Sequence, residues 1–146
     1  HIGEDFTIVT PDAGALKKIY TVMEGLQTTR EDLLKMVVAM KHRDIKTGKI
    51  VSTTITLPKY DEEGTMEGRS NKYIIIDDIC DGGRTFIELA KAIRVQDFTA
   101  RVYLVVTHGI FSAGFEELKQ YLNGIYTTNS IADIKSNGFV EQMEVI

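Results

Sequence analysis

The sequence predicts an α/β domain: a three-layer, open, twisted, mainly parallel sheet with helices on both faces. Three observations predict it. Apolar residues alternate between short β-prone runs and stretches spaced at three and four residues, the strand–helix–strand rhythm of such sheets. One run, Tyr73-Ile74-Ile75-Ile76, is continuously apolar, as a strand covered on both faces must be. Polar clusters follow the runs: Thr10-Pro11-Asp12-Ala13-Gly14, Lys41-His42-Arg43, Asp77-Asp78 and Thr107-His108-Gly109. Open α/β sheets bind ligands at the carboxyl ends of their strands, so four such clusters are expected to converge on one edge.

The elements follow in order. Phe6-Thr7-Ile8-Val9 is a short β-rich run that Thr10-Pro11 ends, since proline cannot donate to a ladder. Leu16, Ile19, Tyr20, Met23 and Leu26 recur at helical spacing. The stretch 33–40 fits either period, and β-branched Val37 and Val38 with polar residues close behind favour strand for its second half. Residues 49–57 are β-prone with little apolar content, an exposed ribbon or a mobile loop. Residues 58–70, charged and glycine-containing, read as a solvated turn. After the strand at 73–76, Phe86, Leu89, Ala90 and Ile93 share one face of a helix over 86–93. A buried strand is expected over 102–106, a helix over 115–122, and short closing strands over 125–128 and 140–146. There is no internal repeat and no low-complexity segment.

A chain of 146 residues fits one domain and can bury a sizeable core. Its 43% hydrophobic and 26% charged content is ordinary for a soluble globular protein. The formal net charge of -4 argues against a nucleic-acid binder, which usually carries a basic face, and leaves local phosphate binding open. The one cysteine, Cys80, excludes an internal disulfide and suits a reducing, cytoplasmic setting. No apolar run reaches the roughly 20 residues that span a bilayer. Glu4 and Asp5 interrupt any apolar stretch at the start, so no signal peptide is expected. The chain opens with His1 rather than Met, which suggests a piece of a longer protein.

The segment Ile74-Ile75-Ile76-Asp77-Asp78-Ile79-Cys80-Asp81-Gly82-Gly83-Arg84-Thr85-Phe86 carries the strongest chemical signal. A phosphate needs several backbone N–H groups converging on it, and a glycine loop leading into a helix supplies them together with the helix dipole. Gly82 and Gly83 permit backbone angles that other residues resist, Thr85 adds a hydroxyl donor and Arg84 a charged fork. Asp77 and Asp78 suit adjacent sugar hydroxyls, which carboxylates accept well. Consecutive strand residues face opposite ways, so both acids can serve one ligand only where the strand has ended. The plainer alternative, an Asp cap and a glycine turn, does not account for buried strand, double acid, glycines and helix start falling together.

Elsewhere the plain readings stand beside the functional ones. Asp12-Ala13-Gly14 reads on its own as a helix N-cap. Lys41 and Arg43 read as a solvated positive turn, although two residues apart on an extended segment they share a side and can close over one ligand. His42 and His108 receive no catalytic role. Cys80 reads as a small packed residue whose place beside the loop leaves oxidation open, and no Cys/His cluster supports a zinc site.

The segment 74–86 resembles the phosphoribosyl-diphosphate motif of the type I phosphoribosyltransferase fold. Nearly the whole chain resembles the C-terminal half of the ribose-phosphate diphosphokinases. Thr10-Pro11-Asp12-Ala13-Gly14-Ala15-Leu16-Lys17-Lys18 is similar to that family's first strand-to-helix loop, and Lys41-His42-Arg43 to the Lys-x-Arg start of its flexible catalytic loop. Thr107-His108-Gly109-Ile110-Phe111-Ser112 resembles its Thr-His-Gly-x-Phe-Ser turn, and Tyr126-Thr127-Thr128-Asn129-Ser130-Ile131 a late Val-Thr-Asn-Thr-Ile stretch. Two departures stand out: Gly82-Gly83-Arg84-Thr85 replaces the usual Thr-Gly-Gly-Thr or Thr-Ala-Gly-Thr, and the stretch from Arg43 to Ser70 is longer than usual.

The resemblance implies transfer of the diphosphoryl group of ATP to the C1 hydroxyl of ribose 5-phosphate. It assigns Asp77, Asp78, Asp81, Gly82, Gly83, Arg84 and Thr85 to the sugar phosphate, Lys41 and Arg43 to charge stabilisation during transfer, and Asp12 to a Mg2+ ion. It also implies a partner N-terminal half with the ATP site and a homo-oligomer. Two other functions stay open. A phosphoribosyltransferase would need a hood that recognises the base, and no convincing one is found. A non-catalytic binding or regulatory relative is favoured if Lys41 and Arg43 do not face the sugar site.

Overall fold

The computed structural model describes residues 6–25, 36–57 and 71–145. Six strands form one sheet: β1 (Thr7–Thr10), β2 (Met36–Val38), β5 (Lys72–Cys80), β6 (Arg101–Gly109), β7 (Gly124–Thr128) and β8 (Val140–Met143). Their order is β2-β1-β5-β6-β7-β8, and every neighbouring pair is parallel. β3 (Met40–Arg43) and β4 (Ile50–Thr54) form a separate antiparallel ribbon. The helices are α1 (Ala13–Gly25), α2 (Arg84–Gln96) and the one-turn α3 (Leu118–Tyr121).

Helices cover both faces of the sheet, as expected. On one face Ile19 of α1 packs against Ile8, with Phe6, Met36 and Ile76 around them. On the other, Phe86, Leu89, Ala90 and Ile93 of α2 join Val9, Tyr73, Ile75, Val102, Leu104 and Ile125 in the main core. The predicted face of α2 is the buried one, and Ile87 adds to it. Deep in this layer the Tyr73 hydroxyl donates to Asp97 Oδ2 at 2.7 Å, so the tyrosine is buried without an unpaired oxygen.

Several expected boundaries move. β5 does not stop at Ile76: pairing with β6 continues through Asp77↔Val106, Ile79↔His108 and Cys80↔Gly109. A ladder is made by the backbone, so it runs on where the side chains turn polar. The same pairing carries β6 through Thr107, His108 and Gly109, which were expected beyond its end. The helix expected over 115–122 shrinks to α3, because the Gly114 N–H already closes a turn on the Phe111 carbonyl at 2.9 Å and β7 begins at Gly124. The last strand stops at Met143 rather than 146, which lies outside the described residues, as do Leu26, 33–35 and the turn at 58–70. Of the two readings of 49–57, the ribbon holds for Ile50–Thr54.

Leu104 is fully buried in the central strand β6. Leu104→Ala should cost about 2–5 kcal/mol, the usual range for a core leucine. Urea unfolding checks this: the midpoint falls while the m-value stays that of the parent.

Candidate functional site

The carboxyl ends of β1 and β5 meet at a cluster of charged groups. Asp12 is the N-cap of α1: its Oδ1 accepts the Ala15 N–H at 3.0 Å, the third position of the helix. Its Oδ2 faces Lys41 Nζ at 3.2 Å, an ion pair reaching from the ribbon to the start of α1. The Lys41 side chain is only 16% exposed, so it is not the solvated cation of the plainer reading. Burial pushes the Asp12 carboxyl up. The N–H of Ala15, the Lys41 ammonium and the N–H of Gly14 together outweigh it and hold the group below its ordinary value.

Asp77 behaves in the opposite way. Burial raises its carboxyl, the Asp78 N–H donated to Oδ1 at 2.8 Å lowers it, and the neighbouring carboxylates of Asp78 and Asp12 raise it again, for a net upward shift. Both acids therefore share one neighbourhood. Both lie within β5, so the strand does not end before them as expected.

Beyond the acids the chain turns at 81–83 into α2. Gly83 is the N-cap with φ 84, a left-handed conformation that glycine adopts without penalty. A Cβ there would also lie 2.8 Å from Leu118 Cδ2, so α3 packs directly beneath the loop. The Gly83 carbonyl accepts the N–H groups of Phe86 and Ile87 at 3.1 and 3.0 Å. The N–H groups of Gly82, Gly83, Arg84 and Thr85 and the Thr85 hydroxyl have no hydrogen-bond partner among the described residues. Such a row of donors at a helix start can serve as an anion cradle.

Two predicted residues point elsewhere. Arg84 is 80% exposed and lies 3.6 Å from Glu88, along its own helix rather than over the loop. Arg43 donates to the Gly48 carbonyl at 3.1 Å within its own ribbon. A register shift between His42 and Arg43 breaks the alternation that was to put Lys41 and Arg43 on one side. The structure does not bring this pair together.

His42 and His108 make local contacts, with Thr54 Oγ1 at 3.0 Å and Ser130 Oγ at 2.7 Å. Cys80 is fully buried and its thiol is pushed up to about 12 by burial and by Asp81 and Asp77, so the packed reading holds and oxidation sensitivity finds no support. Sequence reasoning missed what lies under the loop. The N–H groups of Ile110 and Phe111 bond the Cys80 carbonyl at 2.8 and 3.2 Å, and that of Ser112 bonds the Asp81 carbonyl at 3.2 Å. The motif around Phe111 was visible, but nothing in its composition says where its N–H groups go.

The donor set can be tested for Mg2+. Among the described residues no three His, Cys, Asp or Glu side chains are grouped to hold a metal. Magnesium commonly takes one or two carboxylates and fills its octahedron with water and substrate phosphates. A half-exposed Asp12 carboxylate that acts electrostatically on Asp77 fits that mode.

A parallel sheet with this loop at the end of a central strand is a phosphoribosyltransferase-like fold. The chain overlays a phosphoribosylpyrophosphate synthetase from Mycobacterium smegmatis with TM-score 0.66 at 19% identity, covering 97% of this chain and 41% of that one. It overlays the xanthine-guanine-hypoxanthine phosphoribosyltransferase of Helicobacter pylori with TM-score 0.51 at 9% identity, covering 93% and 73%. In sequence it is similar to ribose-phosphate pyrophosphokinases. That of Mycoplasmopsis pulmonis is 28% identical over 131 residues, covering 88% of this chain and 36% of that protein. That of Granulibacter bethesdensis is 30% identical over 112 residues, covering 77% and 31%. The resemblance read from the sequence therefore holds, in relatives and in fold. The chain spans about a third of the length of these curated relatives. No family model matches it. No helix among the described residues is long and apolar enough to cross a membrane.

The raised Asp77 carboxyl makes a pH prediction. A carboxyl with a folded pKa above its unfolded value binds more protons in the native state, so stability is lost as pH rises from about the ordinary 3.8 through the folded value. Asp77→Asn removes that loss. It should raise Tm at pH 7, and by much less near pH 4. Thermal unfolding at the two pH values checks it, and an equal shift at both contradicts it.

Proposed function

We propose that this chain is a ribose 5-phosphate-binding domain of a ribose-phosphate diphosphokinase. The observation that carries this reading is the cradle of N–H groups at 82–85 directly after two carboxylates that share one neighbourhood. The cradle takes the 5-phosphate. Asp77 and Asp78 accept hydrogen bonds from the ribose hydroxyls, and Thr85 adds its hydroxyl to the phosphate.

In the reaction the C1 hydroxyl oxygen attacks the β-phosphorus of ATP. The bond from that phosphorus to the oxygen shared with the α-phosphorus breaks, AMP leaves, and the hydroxyl proton is released. Transfer of this kind depends on positioning and charge stabilisation more than on covalent help. Lys41 is the cation at hand, held against Asp12 until a phosphate competes for it. Asp12 would be among the ligands of a Mg2+ ion, which would supply charge neutralisation of the diphosphate. The ATP site belongs to the rest of a longer, oligomeric protein, in keeping with the third of its relatives that this chain spans.

A second reading has one observation in its favour. Arg43 engages its own ribbon rather than the loop, which would suit a domain that binds the sugar phosphate without transferring to it.

Calorimetric titration with ribose 5-phosphate tests the first reading. Asp78→Ala and Thr85→Ala should each weaken binding by roughly tenfold or more, the worth of a hydrogen bond to a charged group. Unchanged affinity in both removes the site. A coupled assay with ATP and ribose 5-phosphate should find the 146-residue chain far slower than the Mycoplasmopsis pulmonis enzyme. Comparable turnover shows instead that the ATP site lies within these residues.

A further inference from the structure

We propose that Gly109 and Phe111 are positioning residues that aim the 81–85 loop from beneath. Gly109 ends β6 opposite Cys80, the last residue of β5. A Cβ at Gly109 would lie 2.3 Å from Phe111 Cε2 and 2.7 Å from Thr127 Oγ1, so the Phe111 ring occupies the space that any side chain at 109 would need. Phe111 is buried, its ring centroid 4.8 Å from that of Phe115, and Phe115 meets Phe139 at 6.4 Å. With φ 49, Phe111 is the one non-glycine residue at positive φ among the described residues. A bulky residue holds that conformation only where its surroundings impose it.

The wedged ring has a consequence for the loop. It curls the chain so that three consecutive N–H groups, of Ile110, Phe111 and Ser112, face the carbonyls of Cys80 and Asp81. In a trans peptide the C=O and the following N–H point in opposite directions. Fixing the Cys80 and Asp81 carbonyls inward therefore turns the N–H groups of Asp81 and Gly82 outward, toward the side where the cradle opens. Leu118 under Gly83 blocks the loop from sinking inward. None of these supporting side chains needs to touch a ligand.

The functional half of this inference rests on the reading of 81–85 as the phosphate cradle, and the geometric half does not. Amide resonances of the 146-residue chain separate them. In Phe111→Ala, without ligand, the Asp81 and Gly82 resonances should move while that of Leu104 stays, and ribose 5-phosphate affinity should fall about tenfold. Phe111→Leu, which keeps an apolar wedge, should recover most of both. Should Phe111→Ala fail to fold, Gly109→Ala, whose Cβ displaces the Phe111 ring, takes its place and should move the same two resonances. Unmoved Asp81 and Gly82 resonances in the folded variant overturn the positioning role, as do moved resonances with wild-type affinity. A parent chain that binds no ribose 5-phosphate sinks the sugar-phosphate reading instead, and the ligand-free shifts still decide the geometry.

Discussion

The structure depends on the parallel pairing of β5 with β6, carried past the apolar core to Cys80↔Gly109. Up to Ile76 this ladder serves the core, with Tyr73, Ile75, Val102 and Leu104 fully buried on the α2 face. Past that point it does something else. It keeps Asp77 and Asp78 in regular backbone geometry at the sheet's edge and brings the 110–112 turn against the start of the loop. Without those last pairings the acids, the cradle and the turn beneath it would have no common frame.

The cost of this arrangement falls on Asp77. It sits partly buried beside two like charges, and the Asp78 N–H acts against that. Asp12 is the contrasting case: helix N–H groups and Lys41 overcome its burial. Carboxylates on one sheet edge are thus pushed in opposite directions by their surroundings. A group held in a destabilised charged form near a cleft is a common mark of a binding or catalytic site. Ligand hydroxyls and phosphate-bound cations are the natural relief for such a cluster.

Much of the fold was legible because it rests on periodicity. The face of α2 was readable from Phe86, Leu89, Ala90 and Ile93, and the central strands from their apolar runs. What misled was the assumption that a strand ends where its apolar run ends. Asp77, Thr107 and His108 are polar members of a ladder that only backbone atoms build. The Arg43 expectation failed for a related reason. Two-residue alternation holds only in a regular strand, and the irregularity after His42 has no signature in Lys41-His42-Arg43. The loop 81–85 was legible through its glycines, whereas the turn below it acts through N–H groups, which every residue but proline carries. Its one visible sign is Gly109, small because Phe111 fills its place.

The central claim is that the loop after β5 is the phosphate cradle, and the most direct measurement maps a ligand onto it. Titrating the chain with ribose 5-phosphate while following backbone amide resonances should move Gly82, Gly83, Arg84 and Thr85 together, saturably, with Asp77 and Asp78 following. Ribose without its phosphate should move the four loop residues little or not at all. Saturable binding that shifts amides on the β3–β4 ribbon or at β8 and leaves residues 82–85 in place would contradict the account.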